Sequence, residues 1–234
     1  MFIPPSLVTA AGFAFAAISP PLLVQHSPIA GFSQQRHVKV PVLLGVMSRC
    51  PDALICESVF DKVLSQVGDK VDLSLSFIGS INSSEPDFGV TCMHGPEECA
   101  GNVQELCAAK YLPQEQWWRY VQCQNYYGRY RVGDPDIALS CAATAKFSWE
   151  HSGVGTCAGV DGSGKGHEGI ELLKISVNRS VELGISRSCT IMINGKRVCV
   201  RDESWKDCEA GHEPSNFAEQ INYAYEELNK ATPK

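Results

Sequence analysis

Eleven cysteines, at positions 50, 56, 92, 99, 107, 123, 141, 157, 189, 199 and 208, constrain this 234-residue chain more than any other feature. That density is out of place in a reducing cytosol and points to an oxidising compartment, where cysteines pair. The number is odd, so at least one thiol is free or intermolecular if the others close within the chain. The formal net charge of -6, with no Lys/Arg-rich run, argues against nucleic acid or an anionic membrane as the main partner.

The apolar pattern predicts an α/β protein. VKVPVLLGVM, residues 38–47, is short, β-branched and bounded by turn formers, as a buried strand is. PDALICESVFDKVLSQVG then reads as a helix, with Pro51 at its first position, Gly68 at its end and an apolar face from Leu54, Val59, Val63 and Leu64. In KVDLSLSFIGSI, residues 70–81, Val71, Leu73, Leu75 and Phe77 alternate with Asp72, Ser74 and Ser76, which predicts a half-buried strand. Together these make a right-handed βαβ unit. From Pro96 to about Trp149 the pattern is helical, broken at Pro113, Gly128 and Gly133–Asp136. A Gly-rich loop, a helix over 168–183, a hairpin around Asn194-Gly195 and a last helix over 215–229 follow. Without the helical segment the order is that of a thioredoxin-like fold. The expected organisation is a leader or disordered segment over 1–35 and a thioredoxin-like domain over 36–234, with a disulfide-rich helical insertion at about 90–165.

The first 35 residues contain SLVTAAGFAFAAISPPLLV, apolar enough for a signal core but with no basic residue before it and interrupted by Pro20 and Pro21. Two acceptor tripeptides, at Asn82 and Asn178, fit a secretory route and predict glycosylation.

Chemistry concentrates at SRCPDALIC, residues 48–56. Cys50 stands where a strand ends and a helix begins, where backbone N–H groups and the helix dipole favour a thiolate. A structural cysteine is the competing reading. Cys56 is an awkward partner. Six helical residues rise roughly 9 Å and turn roughly 240°. The two Cα atoms would then lie about 10 Å apart, beyond the roughly 7 Å a disulfide spans. The pair can close only if Cys50 precedes the helix or the first turn is distorted.

A second cluster is CMHGPEECAGNVQELC, residues 92–107. Zinc bound by Cys92, His94, Cys99 and Cys107 competes with disulfides here, and the cysteine surplus with no paired CxxC knuckle favours disulfides. The stretch resembles the signature C-Q-H-G-x-x-E-C-x-x-N-x-x-x-x-C of the gamma-interferon-inducible lysosomal thiol reductase (GILT) family. Cys92, His94, Gly95, Glu98, Cys99, Asn102 and Cys107 match, and Met93 replaces the glutamine. The likeness continues through Cys141 to Leu173 and covers about residues 38–230.

The resemblance implies a thioredoxin-like fold with a disulfide-rich helical insertion, and reduction of protein disulfides in a lysosome, a vacuole or outside the cell. The family's usual CxxC carries over only to Cys50, because its second position is Ala53. The CPDAxxC version resembles fungal members and makes Cys56 the candidate resolving thiol. Thioredoxin-like folds also carry a cis-proline before the final hairpin. That position falls at or next to Cys189, where no proline stands. Cys189 is therefore either a third active-site thiol or a hairpin disulfide partner of Cys199.

The leading expectation is a thiol–disulfide oxidoreductase that attacks protein disulfides through Cys50, with Cys56 resolving and a small-thiol or protein reductant. The alternative is a non-catalytic, disulfide-stabilised secreted binding module. No cofactor, metal, nucleic acid or nucleotide is expected. GVDGSGKG, residues 159–166, falls short of a phosphate loop because Gly166 stands where a hydroxyl is needed. The aromatic run WWRYVQCQNYY, residues 117–127, reads as insertion packing.

Overall fold

The computed structural model describes residues 37–230 and Phe2. The expected leader over 1–35 lies, apart from Phe2, outside the described residues.

Four helices begin with proline, whose fixed φ suits the first turn and whose missing N–H costs nothing there. These are α1 (Pro51–Val67), α2 (Pro96–Tyr111), α4 (Pro135–Thr144) and α7 (Pro214–Asn229). Strand β1 (Val40–Val46) pairs in parallel with β2 (Val71–Phe77) from Val40↔Val71 to Val46↔Phe77, with α1 as the crossover. Strand β5 (Thr190–Ile193) lies antiparallel on the other side of β1, with Gly45 opposite Thr190. Strands β6 (Lys196–Asp202) and β7 (Ser204–Lys206) complete a sheet of order β2-β1-β5-β6-β7. Strand β7 had no separate signal in the sequence.

The hairpin turns at Asn194 and Gly195, with φ of 48° and 76° as a two-residue turn of this hand requires. A register shift between Ile191 and Met192 follows. It puts Cys199 opposite Ile191, while Cys189 exchanges two 2.8 Å backbone hydrogen bonds with Arg201. Cys199 accordingly bonds to Cys208 rather than to Cys189.

Helices α1 and α7 pack together, with the Phe60 and Phe217 rings 5.2 Å apart. Burying each ring stabilises the fold by about 2–3 kcal/mol. The stripe that α1 buries is Ala53, Cys56, Phe60, Val63 and Val67, rotated from the expected one; Leu54, Val59 and Leu64 are half-buried. The rotation has a cause in the fold: α1 also packs against α3 (Gln114–Tyr126), so Glu57 is buried too. Helix α6 (His167–Glu182) packs on β2, where Ser176 Oγ accepts the Phe77 N–H at 2.8 Å.

The insertion starts with a small hairpin, β3 (Ser80–Ile81) and β4 (Val90–Thr91), and then runs through α2, α3, α4 and α5 (Val154–Ala158). Disulfides Cys107–Cys157 and Cys123–Cys141 join α2 to α5 and α3 to α4. The aromatic run packs inward, with Trp117, Trp118 and Tyr120 buried. In the Gly-rich loop a Cβ on Gly166 would lie 2.1 Å from the Cys157 carbonyl oxygen, so glycine is needed there for close backbone packing.

Candidate functional site

Strand β1 leads into a turn closed by the Cys50 N–H donating to the Met47 carbonyl at 2.9 Å. Cys50 is the N-cap of α1, and Pro51 is the first helical residue. The other ten cysteines are paired, so Cys50 is the free cysteine among the described residues. It is 7% exposed, and its sulfur lies 3.7 Å from the Ser188 carbonyl oxygen. The pairing of β1 with β5 makes this meeting inevitable: the chain leaves β1 at the end where it enters β5. Ser188 Oγ accepts the Met47 N–H at 2.9 Å and fixes the two segments together. The Ser188–Cys189 peptide is cis, at the place where the sequence pattern expected a proline and found none.

Cys56 does not pair with Cys50. Its sulfur is bonded to Cys189, with Cα atoms 6.2 Å apart across 133 residues of sequence. The helical geometry gives the reason: Cys56 lies nearly two turns along α1 and faces the sheet, out of reach of the N-cap. In this state Cys56 carries no thiol. The sequence offered Cys189 as a third thiol near Cys50 or as the partner of Cys199; it did not foresee the Cys56–Cys189 bond.

The cysteine-rich signature folds against the segment that carries Cys50. Glu98 and Asn102 are one turn apart on α2, both fully buried. Asn102 Oδ1 accepts the Ser48 N–H at 3.2 Å, and Glu98 Oε2 accepts the Arg49 N–H at 3.2 Å. Glu98 is itself held by His94, whose N–H reaches Oε1 at 3.2 Å and whose Nδ1 meets Oε2 at 2.5 Å. Gly95, with φ of 94°, caps α2 and lets the chain turn back so that His94 meets Glu98. Cys92 bonds to Cys99 and Cys107 to Cys157, which consumes the thiols of the zinc alternative. Among the described residues no cluster of His, Cys, Asp and Glu is placed to hold a metal ion.

Sequence reasoning missed several partners. Arg49 donates through Nε to the Val132 carbonyl at 2.8 Å and pairs with Asp134 at 3.1 Å, tying the Cys50 segment to the insertion. Asp52, the second residue of α1, pairs through its carboxylate with Arg201 at 3.2 Å and accepts the Glu203 N–H at 2.9 Å. Neither contact has a local signal, because each joins segments more than eighty residues apart.

A buried acidic cluster lies between α1, α2 and α3. Burial raises the Glu57 carboxyl from its ordinary 4.5 to about 7, against a hydrogen bond from Asn125 that lowers it. Burial also pushes Glu105 well up, reinforced by the charges of Glu57 and Glu98. Neither acid was singled out in the sequence. A cleft of about 800 Å³, lined in part by Asp61, Gln114, Trp118 and Arg119, opens toward the other end of α1 from Cys50.

Residues 41–145 match the family of gamma interferon inducible lysosomal thiol reductase (GILT). Over those residues the chain is similar to that family. A curated relative, GILT-like protein 1 of Drosophila melanogaster, is 36% identical over 80 residues, covering 32% of this chain and 31% of that protein. The match thus spans about a third of the relative's length. The fold supplies a further likeness across most of the chain. Reduced DsbA1 from Neisseria meningitidis superposes with a TM-score of 0.51 at 14% identity, over 85% of this chain and 91% of that one. MdbA, a thiol-disulfide oxidoreductase from Corynebacterium diphtheriae, gives a TM-score of 0.52 at 14% identity, over 78% and 83%. The expected thioredoxin-like fold with a disulfide-rich helical insertion is therefore the fold of this chain.

Proposed function

We propose that this chain is a thiol–disulfide oxidoreductase that reduces protein disulfides through a Cys50 thiolate. The observation that carries this reading is Cys50 itself: the free thiol among eleven cysteines, at the N-cap of α1. The Cys50 thiolate attacks one sulfur of a substrate disulfide, forms a mixed disulfide and expels one substrate thiolate. A second thiol then attacks the Cys50 sulfur and frees the other substrate thiol. Cys56, the expected resolving thiol, is bonded to Cys189 in this state; a small-molecule thiol that attacks the Cys50 sulfur is then removed as a disulfide by a second thiol. The similarity to the GILT family supports this chemistry and a secretory, lysosomal or vacuolar setting. Asn82 and Asn178 are both exposed and fit glycosylation there.

The bond that occupies Cys56 favours one competing reading, a non-catalytic binding module with an idle Cys50. A trapping experiment separates the two. The chain is incubated with a disulfide-linked peptide, quenched in acid and digested. A peptide disulfide-linked to the Cys50 fragment supports catalysis; substrate that never attaches there supports the binding module.

A further inference from the structure

We propose that Cys50, Cys189 and Cys56 form a three-sulfur relay in which Cys189, not Cys56, exchanges directly with Cys50. The proposal rests on the reading of Cys50 as the nucleophile and adds the path its electrons take.

The geometry sets the order of the three sulfurs. The Cys50 sulfur lies 3.7 Å from the carbonyl oxygen of Ser188, in the peptide unit that continues into Cys189. That oxygen and the Cys189 Cα are three bonds apart, so Cys189 is the residue immediately following the atom that the Cys50 sulfur meets. Cys189 is bonded to Cys56. Cys56 and Cys50, by contrast, are separated by about 9 Å of helix rise, too far for direct closure. Cys189 is thus the middle member. Cys56 and Cys189 are both fully buried, whereas Cys50 keeps some contact with solvent. A reagent in solution reaches the inner bond through Cys50.

The chemistry balances in both directions. With all three thiols reduced, the Cys50 thiolate attacks a substrate disulfide and one substrate thiolate leaves. The Cys189 thiolate attacks the Cys50 sulfur, and the second substrate thiolate leaves. The Cys56 thiolate then attacks the Cys189 sulfur and expels Cys50 as a thiolate. The substrate has gained two electrons and two protons, lost by Cys56 and Cys189. The end state has an inner Cys56–Cys189 bond and a free Cys50, the arrangement in the structure. Recharging runs backward. Cys50 attacks Cys189 and releases Cys56. A small-molecule thiol then attacks the Cys50 sulfur of the new bond and releases Cys189. A second molecule of that thiol removes the first as a small-molecule disulfide. Cys50 is therefore a free thiol in both the reduced and the oxidised protein, ready for the next exchange.

Two measurements on the full chain test this. In the first, Cys56→Ser and Cys189→Ser are mildly reduced, exposed to oxidised glutathione, quenched and mapped by mass spectrometry. The relay predicts a Cys50–Cys189 bond in Cys56→Ser. In Cys189→Ser it predicts a glutathione adduct on Cys50 that lasts about tenfold longer, because the intramolecular thiol is missing. A Cys50–Cys56 bond in Cys189→Ser, or an adduct in Cys56→Ser that never passes to Cys189, overturns the relay. If Cys50 takes up no glutathione in any form, the reading of Cys50 as nucleophile fails instead. The second measurement needs no variant. Wild-type protein is alkylated at Cys50 and then treated with dithiothreitol. The relay predicts reduction of Cys56–Cys189 slowed about tenfold or more relative to unblocked protein. An unchanged rate overturns it.

Discussion

The Glu98 carboxylate accepts the backbone N–H of Arg49 at 3.2 Å, so a residue of the cysteine-rich signature holds the segment that carries Cys50. Asn102 does the same for Ser48. The signature is therefore more than a disulfide clasp: it is the floor on which the β1–α1 turn rests.

Asn102→Leu leaves the Ser48 N–H buried without an acceptor and is expected to cost about 1–3 kcal/mol. Asn102→Asp keeps an acceptor at the same place and recovers part of that loss. Chemical denaturation measures both. The rate of Cys50 alkylation in each variant shows whether the turn has moved: it changes in Asn102→Leu and returns toward wild type in Asn102→Asp.

Glu57 makes stability depend on pH in a definite direction. Its folded-state value of about 7 lies above the ordinary 4.5, so between those limits the folded chain holds a proton that the unfolded chain has released. Stability is full below about pH 4.5, falls as pH rises and levels off above about 7, a loss of about 3 kcal/mol from this group. Glu105, also raised by burial, acts in the same sense. Urea denaturation at pH 5 and pH 8 measures the slope. Glu57→Gln, which cannot ionise, flattens it; an unchanged slope removes Glu57 as its source.

The insertion depends on its long-range staples. Cys107–Cys157 closes 50 residues and Cys92–Cys99 only 7. Replacing both cysteines of the first pair by serine is expected to cost about 4 kcal/mol, and of the second about 2 kcal/mol, from chain entropy alone. Denaturation midpoints of the two double variants should fall in that order.

Much of this fold is legible along the chain. Alternation at Val71, Leu73, Leu75 and Phe77, proline at the first position of α1 and Asn194-Gly195 between two β-runs each act over a few residues. Cys50 is legible for the same reason, because a strand–Cys–Pro–helix junction is a local pattern. The bond between Cys56 and Cys189 is not, since it joins elements that only the β1–β5 pairing brings together. The hairpin misled in a specific way: counting back from the turn set Cys189 nearly opposite Cys199, and the bulge at Ile191/Met192 moved that register. Glu57 was invisible because its burial comes from α3, an element of the insertion packing on the far side of α1.

Reduction of a protein disulfide by wild type and by Cys50→Ser, with insulin as substrate, a small thiol as reductant and pH from 4.5 to 7, is the most direct measurement. Wild type is predicted to accelerate reduction over the reductant alone, and Cys50→Ser to fall to that background. Cys50→Ser with full wild-type activity would contradict the assignment of Cys50 as the attacking thiol.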